Sequence, residues 1–180
     1  MTKMTEIKES IKIPDNVNVT LEHNTLTVKR EQVSLSRAFS YPKIDIKITG
    51  KVIEIRCKSP RRKDKALVGT FVAHIKNMIK GVTEGFEYKM KTVFAHFPIK
   101  TSVEGGEFLI HNFLGERAPR RARILEGVTI EIKGEYITVK GFDKEKVGQT
   151  ATNIERATAV KYRDIRVFQD GVYQISKGRK

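Results

Sequence analysis

The stretch IKITGKVIEIR, residues 46–56, returns as IEIKGEYITVK, residues 130–140, with the glycine and every second apolar residue in register. In each copy the apolar positions alternate at the period of a half-buried strand: Ile46, Ile48, Ile53 and Ile55 in the first, Ile130, Ile132, Ile137 and Val139 in the second. Gly50 and Gly134 stand at the midpoints, preceded by Thr49 and Lys133, where a tight turn needs a residue that tolerates positive φ. Both stretches are expected to form β-hairpins with one face in a core.

The likeness extends past the hairpins. LVGTFVAHIKNMI (67–79) lies over KVGQTATNIERAT (146–158) through Val68/Val147, Gly69/Gly148 and Ile75/Ile154. Leu67, Phe71, Ile75 and Met78 recur at helical spacing, with Asp64 expected as N-cap and Gly81 as the stop. Asp143, Val147, Ala151 and Ile154 give a weaker helix in the second copy. The two glycines inside these helices are expected to allow close packing against a sheet. Strand, turn, strand, loop, helix therefore occurs twice, which predicts an α+β fold made by internal duplication. Each half is then an antiparallel sheet packed with one helix, in domains of residues 1–84 and 85–180. Phe86, Tyr88 and Met90 alternate in one register, placing a strand close to the boundary.

Composition narrows the function. Thirty-five Lys and Arg against 21 Asp and Glu give a net charge of +14, with 17 cations against 9 acids in residues 1–84 and 18 against 12 in the remainder. An excess spread over both halves is the footprint of a polyanion binder, because neutralising phosphates releases condensed counterions. No apolar run approaches the length of a membrane span, so a cytoplasmic protein with no membrane partner is expected. Cys57 is the only cysteine, leaving no intramolecular disulfide and no cysteine-based metal site. No motif calls for a cofactor or a small-molecule substrate.

Three segments concentrate the charge. KSPRRKDK (58–65) places Arg61, Arg62 and Lys63 on what reads as a loop. NFLGERAPRRARI (112–124) holds Arg117, Arg120, Arg121 and Arg123 on what reads as a Gly/Pro-bounded loop, and guanidinium groups grip phosphate bidentately and stack on bases. The last twenty residues interleave Lys161, Arg163, Arg166, Lys177, Arg179 and Lys180 with aromatic residues. There Ile165 and Val167 alternate like a strand, with Arg166 on the opposite face and a turn at Asp170-Gly171. His96 and His111, read on adjacent strands with Lys100, are the strongest start for an enzyme, a ribonuclease-like acid/base pair. No nucleophile, metal or phosphate-loop spacing accompanies them, and a non-enzymatic reading is preferred.

Asn-Phe-Leu-Gly-Glu at 112–116, Arg-Arg-x-Arg at 120–123 and the run from Ala157 to Tyr173 resemble the second domain of the large-subunit ribosomal protein six family, in its archaeal and eukaryotic branch. Residues 13–21 and 26–29 resemble that family's first strands. The chain departs from it at Arg30-Glu31-Gln32, where a Gly-Pro-x-Gly turn is usual. The resemblance implies a structural protein that binds large-subunit rRNA near the sarcin-ricin region and the stalk base, where translational GTPases dock. It also implies neighbouring large-subunit proteins as partners and the second domain as the principal RNA contact. The competing expectation is a free RNA- or tRNA-binding adaptor.

Overall fold

A computed structural model of the protein describes residues 6–177, which divide into two compact units between Glu84 and Gly85. Unit 1 runs β1 (Glu6–Lys12), β2 (Asn18–Glu22), β3 (Thr25–Arg30), β4 (Val33–Ala38), β5 (Ile44–Thr49), β6 (Val52–Lys58) and α1 (Arg62–Thr83). Unit 2 runs β7 (Phe86–Val93), β8 (Lys100–Glu104), β9 (Glu107–His111), β10 (Arg120–Arg123), β11 (Val128–Lys133), β12 (Tyr136–Gly141), α2 (Lys144–Ala157) and β13 (Gly171–Lys177).

The two hairpins form as the sequence requires. β5 pairs with β6 through Ile46↔Ile55 and Ile48↔Ile53, and β11 pairs with β12 through Ile130↔Val139 and Ile132↔Ile137. Gly50 (φ 59°) and Gly134 (φ 61°) each occupy the first position of a two-residue turn, where a side chain would be strained. The duplication reaches the sheet order: β1-β6-β5 in unit 1 becomes β7-β12-β11 in unit 2, and each unit adds a second three-stranded sheet, β2-β3-β4 or β10-β9-β8. Unit 2 alone adds β13, which pairs antiparallel with the free side of β7. Among the described residues each unit thus has one α-helix and two antiparallel sheets, one sheet more than the sequence reading gave it.

Each unit has its own core. Leu26, Val28, Ile53, Ile55 and Ile75 are fully buried in unit 1; Met90, Phe108, Ile137, Val139 and Ile154 are their counterparts in unit 2. Burial of each such side chain contributes about 1.5–3 kcal/mol of transfer free energy.

The helices begin and end differently from the sequence reading. Residues 62–65 are already the first turn of α1, not loop, and Arg61 is its N-cap. Asp64 sits one turn inside and accepts the Arg61 amide hydrogen bond (2.9 Å), half of a capping arrangement. α1 passes through Gly81 to Thr83, with Gly85 in the left-handed conformation (φ 75°) just beyond. Asp143 does cap α2, accepting from the Glu145 amide at 2.8 Å. Gly69 is exposed, with nothing within 4 Å of where a Cβ would stand, and at Gly148 the nearest atoms, of Tyr88, are at an ordinary 3.7 Å. Close packing therefore explains neither glycine. Cys57 is fully buried, and burial pushes its thiol up from the usual range.

Candidate nucleic-acid interface

Several basic residues of unit 2 lie on chain segments that hydrogen bonds tie to one another. A single turn at Phe113–Gly115 leads through Arg117 into β10, the edge strand beside α2. The cluster at 120–123 is strand rather than loop, and its alternation sorts the arginines. Ala122 is buried, while Arg121 and Arg123 project outward and are exposed. Arg121 reaches only Glu107, at 3.3 Å, and its side chain keeps 67% of its surface open.

Arg120 points the other way and is committed within the protein. Its Nε and Nη2 donate to the Glu116 carboxylate at 2.8 and 2.6 Å, and its Nη1 donates to the carbonyls of Ala157 and Ala159 at 3.0 and 3.1 Å. The guanidinium also lies 4.1 Å from the Phe113 ring centroid. Four of its donor positions are thus used in tying the start of β10 to the end of α2. The expectation of Arg120 as a phosphate grip gives way to a positioning role.

The chain leaving α2 carries the next cations. Lys161, Arg163 and Arg166 are exposed on the connection to β13, which is not the strand that Ile165 and Val167 suggested. The Asp164 carboxylate accepts from the Arg166 amide (2.9 Å), and the Asp164 carbonyl accepts from Val167 and Phe168, so the segment turns at Asp164. Asp164 and Arg166 also pair at 3.1 Å, and the Arg166 guanidinium holds the Asp164 carboxyl below the usual carboxylate range. Ile165 and Val167 are left 69% and 70% exposed, and Tyr162 is completely exposed. Arg163 stacks over Phe168 at 4.8 Å. The Glu116 carboxyl is held down first by Arg120 and also by Arg163, and the Arg120 bonds to the Ala157 and Ala159 carbonyls set the start of this connection beside β10. Asp170 is buried rather than part of a turn, and accepts from the Ala95 amide at 3.4 Å. This draws in the bend after β7, where Phe94 and Phe97 are partly exposed.

Lys177 ends β13 exposed and opposite Tyr88 in register, while Arg179 and Lys180 lie outside the described residues. Arg61, Arg62 and Lys63 belong to unit 1, all exposed at the start of α1. Cations there oppose the helix dipole, so they do not serve helix stability.

The enzyme reading loses its geometry. His111 lies on β9 across from Lys100 and 3.2 Å from the Ser102 hydroxyl, but His96 is in the bend before β8, edge-on to Phe97. Among the described residues no cluster has the makings of a metal site, and no helix is long and apolar enough to cross a membrane.

Comparison with known proteins meets this architecture repeat for repeat. The family described as Ribosomal protein L6 matches the chain twice, over residues 13–85 and 97–171, one match to each unit. The chain belongs to the ribosomal protein L6 family. Among similar L6-family proteins are the large ribosomal subunit protein uL6 of Methanobrevibacter smithii and that of Methanococcus vannielii. The first is 50% identical over 171 residues, spanning 95% of this chain and 96% of the relative; the second is 47% identical over 174 residues, spanning 97% and 96%. The family is one of ribosomal proteins rather than of enzymes.

Sequence reasoning missed the exposed apolar residues beside the cations. Asp164 was the available signal, as a side chain that favours a turn over a strand.

Proposed function

We propose that this protein is a structural constituent of the large ribosomal subunit, working in the cytoplasm, and that residues 85–180 hold rRNA through the basic end of unit 2. The observation that carries the reading is an asymmetry. Both units are cationic, yet among the described residues every exposed large hydrophobic side chain belongs to unit 2. Unpaired apolar side chains among arginines suit a partner that offers phosphates and base faces together.

The contacts are assigned to Arg117, Arg121, Arg123, Lys161, Arg163 and Arg166, with Arg120 fixing the frame. Arg61, Arg62 and Lys63 supply a separate phosphate contact in unit 1. The resemblance supports a finer reading, in which the bound region lies near the sarcin-ricin RNA and the stalk base, with neighbouring large-subunit proteins and translational GTPases close by. Mechanistically the role is positional: rigid β units fix the spacing at which arginines bridge phosphates of separate RNA helices.

The test is binding of the purified protein to large-subunit RNA fragments and to random RNA across a salt titration. Selective binding to a fragment containing the sarcin-ricin region, with a shallower salt slope than random RNA and loss in Arg121→Ala/Arg123→Ala, is the expected result. Equal affinity with the same steep slope would move the free adaptor ahead.

A further inference from the structure

The sheet β11-β12-β7-β13 buries one face against α2 and the core and leaves the other open. On the open face Tyr136, Lys91 and Tyr173 form one row across three adjacent strands, since Lys91 is the register partner of both tyrosines. The rings are 54% and 43% exposed, on strands rather than on a mobile loop. We propose that this face is a stacking platform for the bases of single-stranded RNA, with Tyr136 and Tyr173 as its rings and the lysines between and around them meeting the phosphates.

Each ring has a neighbour that holds it. A Cβ added at Gly171 would stand 3.2 Å from the Tyr173 ring, so the missing side chain is what lets that ring lie down along its own strand. Its hydroxyl donates to the Gln169 carbonyl at 3.1 Å, which fixes the ring and joins the platform to the basic 161–168 segment. The Lys91 ammonium stands 5.6 Å from the Tyr136 centroid and 3.7 Å from the Glu135 carboxylate. Two rings two strands apart are separated by about 10 Å, a spacing that splayed bases can bridge.

Charge favours nucleic acid over a protein surface. Lys89, Lys91, Lys133 and Lys140 outnumber the glutamates at 87, 131 and 135 around this face, each of which pairs with one of these lysines and leaves Lys133 over. Thr138 and Ser176, with Lys89 between them, form a polar row on one side of the tyrosines, while Val93, opposite Gly171, is exposed on the other. The duplication adds a comparison within the molecule. By the alignment of the two hairpins Val52 stands in unit 1 where Tyr136 stands in unit 2, and among the described residues β13 has no counterpart there. Both rings are therefore features of unit 2 alone.

The test uses the full chain and a labelled oligoadenylate of about ten nucleotides, within the usual site size of such platforms. Because the probe carries no ribosomal sequence, its outcome is independent of the Arg121/Arg123 experiment. Replacing both tyrosines by Ala should lower affinity by about tenfold or more, whereas the double Tyr→Phe variant should stay within about twofold of the parent. The double Tyr→Leu variant keeps apolar cover over Gly171 and should fail like the Ala variant, with its melting temperature checked against the parent. Unchanged affinity in the Ala or Leu variants, or equal loss in the Phe variant, overturns the platform and leaves the face to a protein partner.

Discussion

Asp64 is only 2% exposed, yet its carboxyl is held at about 2 rather than the usual 3.8. The Tyr41 hydroxyl donates to it at 2.6 Å and is the largest cause, followed by the Arg61 amide and then Lys43 at 3.4 Å. A carboxyl depressed by folding stabilises the native state above its unfolded pKa, and that contribution disappears as pH falls through the folded value. The melting temperature of the protein should therefore fall between about pH 4 and pH 2, and this acid limb should shrink in Asp64→Asn. An acid limb of the same size in the variant would show that other carboxylates dominate. Arg120 makes the second prediction. Its removal leaves Glu116 and two carbonyls at the end of α2 without their donor, so Arg120→Ala should cost about 2 kcal/mol in urea unfolding. Arg123→Ala, on the outward face of the same strand, should change stability by less than about 0.5 kcal/mol.

At the scale of elements, a glycine inside a helix and one closing a strand carry opposite predictions. Gly69→Ala should raise the stability of unit 1 by up to about 1 kcal/mol, because the helix gains propensity and a methyl meets nothing. At Gly141, closing β12, an added Cβ would stand 2.7 Å from a Val147 methyl and 3.1 Å from the Gly127 carbonyl, so Gly141→Ala should cost about 1–3 kcal/mol by overpacking. Differential scanning calorimetry of the two variants would show melting shifts of opposite sign. What the sequence made legible follows the same division between strong and weak periodicity. The hairpins, the helices and β7 were readable because large apolar residues repeat at a clear period over enough residues. β10 was not, because its one inward apolar residue is Ala122, and an alternation of a single alanine among arginines leaves no trace. The connection before β13 misled in the other direction, since Ile165 and Val167 alternate without being buried. The arginine cluster was visible as composition, but which guanidinium faces solvent depended on strand phase and on the Ala157 and Ala159 carbonyls, distant in sequence.

At the scale of the whole molecule, each unit closes its own hydrophobic core, and the two sets of core residues do not overlap. Residues 85–180 produced alone should therefore melt cooperatively and retain the RNA affinity of the full chain, while residues 1–84 should fold but bind RNA weakly. A fragment 85–180 that binds only in the presence of residues 1–84 would move part of the interface into unit 1. The divergence of the copies also has a consequence in time. All strands of unit 1 find their partners within the first 84 residues, whereas β7 is flanked by β12 on one side and on the other by β13, drawn from the last strand of the chain. During synthesis the N-terminal unit can complete itself as soon as it emerges, but β7 keeps one edge open until residues 171–177 have emerged as well. A ribosome stalled short of Gly171 would thus carry a finished first half and a second half still exposing the strand edge most prone to the wrong partner.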